Sequence, residues 1–217
     1  MEIRPSAQQI IPPVVKNLLI INGLFYLAFV LMRNYMPFNP ILVLGMFYVE
    51  SPHFEIWQVA THMFMHAEGF SHILFNMFNL WMFGSLLERS LGSKRFLQYY
   101  ILCGLGAAVC HQLVQYIEFH HLGGLLPNYP TIGASGAVFG LMFAFGYLFP
   151  NAMLYLYFAI PVKAKYVMIG LALIGLFAGF SKFEGDNIAH FAHLGGMLAG
   201  WVVFMIWRIR YNTGQQL

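Results

Sequence analysis

Charged residues are scarce in this chain. Lysine, arginine, aspartate and glutamate account for only 9% of its 217 residues, whereas hydrophobic residues account for 59%. Soluble domains carry about 25% charged residues, so the composition excludes an ordinary soluble protein and predicts an integral membrane protein. The length suits one helical bundle, and we expect a single domain to occupy residues 1–217.

Cysteine is also rare. Only Cys103 and Cys110 occur, both in one apolar segment, so no disulfide framework is implied and core packing is the simplest interpretation. Residues 1–16 lack the charged, apolar and small-residue order of a signal peptide, so we expect no cleaved leader.

Long apolar runs are what the chain does contain. Six segments approach the ~20 residues needed to cross a bilayer, which predicts an all-α bundle of six membrane-spanning helices. Residues 37–70 contain three prolines and three glutamates among many aromatic and aliphatic side chains, so we expect a large loop in the membrane interface. The predicted spans are residues 17–32, 71–87, 96–117, 135–149, 166–180 and 188–207.

The basic residues predict the orientation. With both termini on one side, nine of the eleven lysines and arginines lie on that side, and such an excess marks the cytoplasmic face. We therefore expect cytoplasmic termini and an external 37–70 loop. The nine are Arg4, Lys16, Arg89, Lys94, Arg95, Lys163, Lys165, Arg208 and Arg210, against Arg33 and Lys182 on the other side.

Four polar residues are predicted to lie at similar depth in three of the spans. At ~1.5 Å per helical residue, Ser135 and His193 each lie about 22 Å from the cytoplasmic ends of their helices. His72 and Asn76, one turn apart on one helix face, lie about 24 and 18 Å from that end. Histidine is costly at membrane depth and usually marks a function, so this level of the bundle is the candidate site.

Ser135 is the candidate nucleophile. It begins a helix within the run Gly133-Ala134-Ser135-Gly136. Small neighbours admit a substrate backbone, and the free N–H groups and dipole of a helix start favour an oxyanion. A helix start built of small residues for packing is the alternative. Ala137 occupies the last place of a Gly-x-Ser-x-Gly elbow, which excludes the α/β-hydrolase motif.

His193 is the candidate base. It precedes Gly196 and Gly200, whose spacing allows close helix packing, and the natural partner face is the one that bears Gly136 and Gly140. If these faces meet, the neutral imidazole can take the proton of the serine, as in nucleophile–base catalysis. A structural hydrogen bond is the alternative interpretation of an intramembrane histidine.

A carboxylate that would orient the histidine is hard to find. Asp186, Glu118 and Glu184 all fall at helix ends, so we expect a serine–histidine pair without a third member. Phe139 follows Ser135 by one turn on the same face and is a candidate to hold the imidazole by stacking.

His72 and Asn76 are candidate hydrogen-bond donors to an oxyanion, with an interhelical packing bond as the alternative. His190 precedes His193 by one turn and is a candidate for the lining of a water path.

His62 and His66 are four residues apart, as in a metal-binding pair. Met63 follows His62, however, where the His-Glu-x-x-His motif requires glutamate. We therefore expect these histidines to hydrogen-bond the loop, and we expect neither a metal nor another cofactor.

These motifs together closely resemble those of the rhomboid intramembrane serine proteases, over the stretch from Trp57 to Trp201. Ser135 lies in a run similar to the family's GxSG motif, and His72 to Asn76 is similar to its HxxxN element. Ala192-His193, with the glycines that follow, is similar to the AHxxG motif, and Glu88-Arg89 to a cytoplasmic Glu-Arg pair.

The resemblance implies a six-span protease that cleaves transmembrane or juxtamembrane segments of membrane proteins. It implies that Ser135 attacks the peptide bond, that His193 is the base, and that His72, Asn76 and the Ser135 backbone N–H form the oxyanion hole. Gly133 and Phe139 match site-shaping positions. One position departs from the family, whose Trp-Arg motif reads Trp57-Gln58 here, so the loop-anchoring contacts of the arginine are in question.

The partners expected on this basis are membrane-protein substrates and the lipid bilayer, with neither nucleic acid nor metal. The expected location is a bacterial plasma membrane. Two other functions stay open: a rhomboid-like scaffold that binds membrane helices without cutting them, and a membrane protein that ligates a metal or haem. The latter would require His62, His66, His72 and His193 to converge.

Overall fold

The computed structural model describes residues 11–33, 35, 37–156, 159–180 and 187–212, and these residues are mostly helical. A hairpin joins β1 (Met153–Leu156) to β2 (Ile160–Lys163), with Met153 opposite Lys163. The helices in this part of the chain are α1 (Pro13–Met32), α2 (Pro40–Leu44), α3 (Gln58–Thr61), α4 (Phe70–Asn79), α5 (Ser85–Leu91), α6 (Ser93–His121), α7 (Ser135–Leu148), α8 (Ala164–Phe180) and α9 (Asn187–Asn212).

Every predicted apolar segment lies in helical structure. A π-helical turn, Leu80–Gly84, joins α4 to α5 into one continuous helix. Within the described residues, four helices are long and apolar enough to cross a membrane: α1, Phe70–Leu91, α6 and the His190–Trp207 part of α9.

The remaining two apolar helices, α7 and α8, have 14 and 17 residues. These lengths correspond to about 21 and 26 Å, against a hydrocarbon core of ~30 Å. The chain between α7 and α8 forms the β1–β2 hairpin, so α7 does not continue past its C-terminal end and α8 does not begin earlier.

Helix α7 lies at the centre of the bundle. Ala137, Val138, Leu141 and Ala144 have at most 1% of their surface exposed, because α6 and α9 both pack along α7. A helix that is apolar all round is suited to such a central position.

Glycines allow α7 and α9 to approach each other closely. A Cβ atom at Gly196 would overlap the carbonyl oxygen of Gly136, and one at Gly140 would lie 3.1 Å from the carbonyl oxygen of Gly196. The second glycine of α9, Gly200, packs instead on the Tyr99 hydroxyl of α6. The small-residue face of α9 is therefore shared between two helices, whereas the glycine spacing suggested α7 alone.

A buried carboxylate attaches α1 to the bundle. Glu88, near the end of α5, accepts hydrogen bonds from the backbone N–H groups of Val14 (3.0 Å) and Val15 (2.8 Å), at the start of α1. It also accepts one from the Ser93 hydroxyl at 2.7 Å. The first N–H groups of a helix have no partner within the helix and favour negative charge. Glu88 therefore caps α1 from a different helix.

The loop between α1 and α4 is held by Gln58, which is 1% exposed. Its Oε1 accepts from the N–H groups of Phe47 and Glu55, both at 3.2 Å. Its Nε2 donates to the carbonyl oxygens of His53 (3.0 Å) and Val43 (3.4 Å). Gln58, at the position where the resemblance implies arginine, thus makes anchoring contacts of its own.

We predict that Gly196→Ala destabilises the protein and that Gly170→Ala does not. The first substitution places a methyl group against the backbone of α7, and overpacking of this kind costs about 1–3 kcal/mol. Apart from its own helix backbone, a Cβ atom at Gly170 in α8 would meet no atom of the described residues within 4 Å, so alanine there adds helix propensity of roughly 1 kcal/mol without a clash.

The midpoint of heat unfolding in detergent measures both effects. We expect a lower midpoint for Gly196→Ala and an equal or higher one for Gly170→Ala. Equal midpoints for wild type and Gly196→Ala would contradict the packing described between α7 and α9.

Candidate active site

Ser135 is the first residue of α7, and the chain that leads to it is tied to the α1–α4 loop. Thr131 pairs with Met46 through two backbone hydrogen bonds of 2.8 and 2.9 Å. The N–H of Gly133 donates to the carbonyl oxygen of His62 at 2.9 Å. Gly133 has φ +122°, a conformation that favours glycine. The loop therefore sets the angle at which the chain enters α7.

His193 of α9 lies within hydrogen-bond distance of Ser135. Its Nε2 is 2.9 Å from the Ser135 Oγ. Both side chains are partly exposed, although the helices that carry them are in close contact. The geometry allows the hydroxyl to donate to a neutral imidazole, which is the arrangement needed for proton transfer.

An aromatic ring holds the imidazole of His193. Phe139, one turn into α7, stacks on it with ring centroids 4.2 Å apart and 3° between the planes. His190 lies one helical turn before His193, with its ring centroid 6.3 Å from that of His193. Asp186 and Glu184, two of the carboxylates considered from the sequence, lie outside the described residues.

His72 approaches the serine from α4. A Cβ atom built on Gly133 would lie 3.1 Å from His72 Nε2 and 3.8 Å from Ser135 Oγ, so both side chains lie on the side of Gly133 where a side chain would stand. The N–H of Ala67 donates to His72 Nδ1 at 3.2 Å. A neutral imidazole that accepts at Nδ1 carries its proton on Nε2. The loop thus selects the tautomer in which Nε2 is a donor toward the serine.

His66 is the neighbour of His72 within the loop. Their ring centroids are 5.2 Å apart. Burial, together with the proximity of His72, lowers the pKa of the His66 imidazole to about 4, although the carbonyl oxygen of Phe64 acts in the opposite sense. His66 is therefore neutral at physiological pH and places no positive charge beside His72.

Asn76 lies one turn after His72 and is 1% exposed. Its Nδ2 donates to the carbonyl oxygen of His72 at 3.0 Å. Because a carboxamide carries two N–H donors, one hydrogen is left over after this bond. Asn79, the next asparagine on α4, makes the same kind of bond to Phe75 at 2.8 Å.

The imidazole of His62 is hydrogen-bonded within the loop, since its Nδ1 lies 2.9 Å from the Gln58 carbonyl oxygen. His66 Nδ1 lies 3.3 Å from the carbonyl oxygen of Phe64. Across the residues that the structure describes, no group of three or more histidine, cysteine or acidic side chains gathers as metal ligands would.

Sequence reasoning missed His111. This buried histidine of α6 hydrogen-bonds the hydroxyl of Thr131, four residues before Ser135. It faces a cavity of about 30 Å³, beside Ser135 and Gly133, which is large enough for a water molecule. The signal was available, because a histidine within an apolar span usually marks a function.

Comparison with known proteins identifies the family. A family model described as the Rhomboid domain matches residues 53–210. Rhomboid protein 1, mitochondrial, of Saccharomyces cerevisiae is 34% identical over 144 residues, which are 64% of this chain and 40% of that protein.

Several bacterial relatives carry the word protease in their names, among them GluP and GlpG. Rhomboid protease GluP of Bacillus subtilis is 30% identical over 153 residues, 68% of this chain and 25% of that protein. Rhomboid protease GlpG of Salmonella newport is 29% identical over 167 residues, 76% of this chain and 49% of that protein. The chain thus spans half or less of the length of these three relatives.

The family match covers most of the chain, and its helices are long and apolar enough for a membrane. This protein is an integral membrane protein of the rhomboid family.

Proposed function

We propose that this protein is an intramembrane serine endopeptidase, with Ser135 as nucleophile and His193 as general base. The distance of 2.9 Å between Ser135 Oγ and His193 Nε2 is the observation that carries the proposal. The two side chains belong to separate helices, which pack closely through glycine. Nucleophilic catalysis requires the nucleophile and its base to lie within hydrogen-bond distance, and this pair meets that requirement.

The reaction follows from that pair. Neutral His193 accepts the hydroxyl proton as Ser135 Oγ attacks the carbonyl carbon of the substrate peptide bond. The tetrahedral intermediate collapses, the C–N bond breaks, and the imidazolium returns its proton to the departing amine. A water molecule then gives a proton to His193 and attacks the carbonyl carbon of the acyl ester. The bond from this carbon to Ser135 Oγ breaks, His193 returns the proton to Oγ, and the carboxylic acid is released.

The oxyanion is stabilised by three donors in this proposal. Ser135 contributes its backbone N–H at the start of α7, where the helix dipole favours negative charge. His72 contributes Nε2–H, because Ala67 occupies Nδ1. Asn76 contributes the amide hydrogen not used by the His72 carbonyl oxygen. The Gly133 N–H donates to the carbonyl oxygen of His62 and is therefore not one of these three donors.

Stacking on Phe139 contributes to the orientation of the base. The nearly parallel ring of Phe139, 4.2 Å from the imidazole, restricts the rotation of His193. His190 extends the polar surface along α9 and borders the path by which water reaches the acyl ester.

The membrane arrangement is part of the same proposal. Residues 1–217 form one domain with six spans, of which α7 and α8 are the short ones, and both termini are cytoplasmic in a bacterial plasma membrane. The distribution of lysine and arginine supports this orientation. The substrates are transmembrane or juxtamembrane segments, supported by the family to which the chain belongs.

Two alternatives make different predictions. A scaffold of rhomboid type would retain the fold but leave Ser135 unreactive. A histidine-ligated metal protein would bring His62 and His66 to a shared centre, whereas each imidazole lies near a carbonyl oxygen of its own loop.

We predict that a fluorophosphonate probe labels the wild-type protein and that Ser135→Ala abolishes the labelling. The probe reacts with a serine only when an adjacent base removes its proton. Ser71→Ala, which alters an exposed serine at the start of α4, is the matched control and is expected to label normally. Labelling that persists in Ser135→Ala, or that is absent from the folded wild type, would contradict the proposal.

We predict that His72→Ala and Asn76→Ala each lower kcat by about 10²–10³-fold with little change in KM. The loss of one oxyanion donor has this magnitude in other enzymes. Asn79→Ala removes the same kind of side chain, with the same kind of helix bond, one turn further along α4. Cleavage of a fluorogenic transmembrane peptide measures kcat and KM, and equal losses for Asn76→Ala and Asn79→Ala would count against an oxyanion role.

We predict that the helical stability of the substrate limits its cleavage. A spanning helix hides its peptide bonds in its own hydrogen bonds, so the segment must unwind locally. Replacing two glycines beside the cleaved bond by alanine favours the helix by about 1 kcal/mol each, and should slow cleavage by up to about thirty-fold. The same replacements two turns away should have little effect, and equal slowing by both sets would argue against local unwinding.

A further inference from the structure

The chain that connects α6 to α7 becomes fixed close to the serine. Most of residues 122–130 are exposed. Thr131, in contrast, pairs with Met46 through two backbone hydrogen bonds, and its hydroxyl hydrogen-bonds the buried imidazole of His111 in α6. Ser135 follows four residues later, so its position depends on how Thr131 is held.

The two kinds of contact at Thr131 differ in rigidity. Met46 belongs to the α1–α4 loop, whereas His111 belongs to a helix of 29 residues that packs along both α7 and α9. Loops are more mobile than helices, and a site that is positioned by a helix is held more precisely. The side chain of His111 is therefore a direct tie between the segment before the serine and the helical bundle.

His111 lies between two other residues of α6 that also contact the site. Cys110 Sγ donates to the Phe191 carbonyl oxygen of α9 at 3.2 Å. Gln112 makes two hydrogen bonds of 2.9 Å to the backbone of the α1–α4 loop. Successive side chains of a helix point about 100° apart, so these three residues reach three different segments. This turn of α6 contacts the helix of the base, the loop, and, through Thr131, the segment before the serine.

The segment after Thr131 depends on such a tie. Gly133 has φ +122°, and a glycine backbone rotates more freely than that of any other residue. A rotation at Gly133 would move the hydroxyl and the backbone N–H of Ser135 together. A displacement of about 1 Å in a catalytic group can lower the rate about 10²-fold.

We propose that His111 is a positioning residue for the reaction. By holding the hydroxyl of Thr131, it fixes the backbone that leads into α7. It thereby directs the Ser135 hydroxyl toward His193 and the Ser135 N–H toward the oxyanion. His111 acts through Thr131 and takes no part in proton transfer. The inference rests on the proposed function, because it concerns the positioning of the same serine.

Substitutions of Thr131 test the hydrogen bond. Thr131→Val keeps the shape of the side chain without its hydroxyl, whereas Thr131→Ser keeps the hydroxyl. Because the backbone pair with Met46 remains, we expect Thr131→Val to lower kcat and the rate of fluorophosphonate labelling by about tenfold, with little change in KM. Thr131→Ser should restore both rates. Thr61→Val, which removes a threonine hydrogen bond of 2.7 Å to Leu44 within the loop, is the matched control and should stay close to wild type.

Substitutions of His111 test the other partner. His111→Leu should lower the same two rates, and the double variant with Thr131→Val should be no slower than either single variant, because all three remove one bond. His111→Gln keeps a hydrogen-bonding group of similar reach and should recover part of the loss. Hydrogen–deuterium exchange should become faster in residues 131–134 of Thr131→Val and stay unchanged in α8, whereas general destabilisation would accelerate both.

Several results would overturn the proposal. They are wild-type labelling and cleavage by Thr131→Val, additive losses in the double variant, or unchanged exchange in residues 131–134. Normal labelling with slow turnover would also overturn it, because the affected step would then follow acylation. Absence of labelling in the folded wild type would instead refute the proposed function itself, and the role of His111 with it.

Discussion

The contact between Gly136 and Gly196 is the constraint on which the rest of the site depends. The backbones of α7 and α9 touch there because neither residue has a side chain. Ser135 precedes Gly136 by one residue, and His193 precedes Gly196 by three. A helix separation set by larger residues would move the two side chains apart, and the distance of 2.9 Å could not be maintained.

The α1–α4 loop is the second determinant of the geometry. Its residue Met46 pairs with Thr131 through backbone hydrogen bonds, and the carbonyl oxygen of its His62 accepts a hydrogen bond from the Gly133 N–H. The N–H of its Ala67 donates to His72 Nδ1. One segment thus positions the backbone before the serine and also selects the tautomer of a candidate oxyanion donor. A displacement of this loop would alter both at once, which couples the surface of the protein to its proposed chemistry.

Much of the helical arrangement could be predicted from the sequence, because apolar runs and glycine spacing are local features. The positions of α6, α7 and α9 follow from them, as does the expectation that the Gly136 face meets Gly196. The depth of Ser135 and His193 could be estimated because the rise of a helix per residue is constant.

Other features could not be predicted because they arise only from tertiary contacts. The packing of Gly200 on Tyr99 depends on where α6 lies. The four bonds of Gln58 depend on the path of the loop, and the bond from Ala67 to His72 involves a backbone group that carries no sequence signal. The β1–β2 hairpin occupies a stretch for which the apolar pattern made no assignment.

Gln58 has a further consequence for the environments in which this protein can work. Its hydrogen bonds to described residues all go to main-chain atoms, and an uncharged amide bonded in this way experiences no ionic screening and does not titrate. At this point of attachment, therefore, the loop is held with the same strength in dilute and in concentrated electrolyte. An arginine in its place would make the attachment depend on the ionic strength of the surrounding solution.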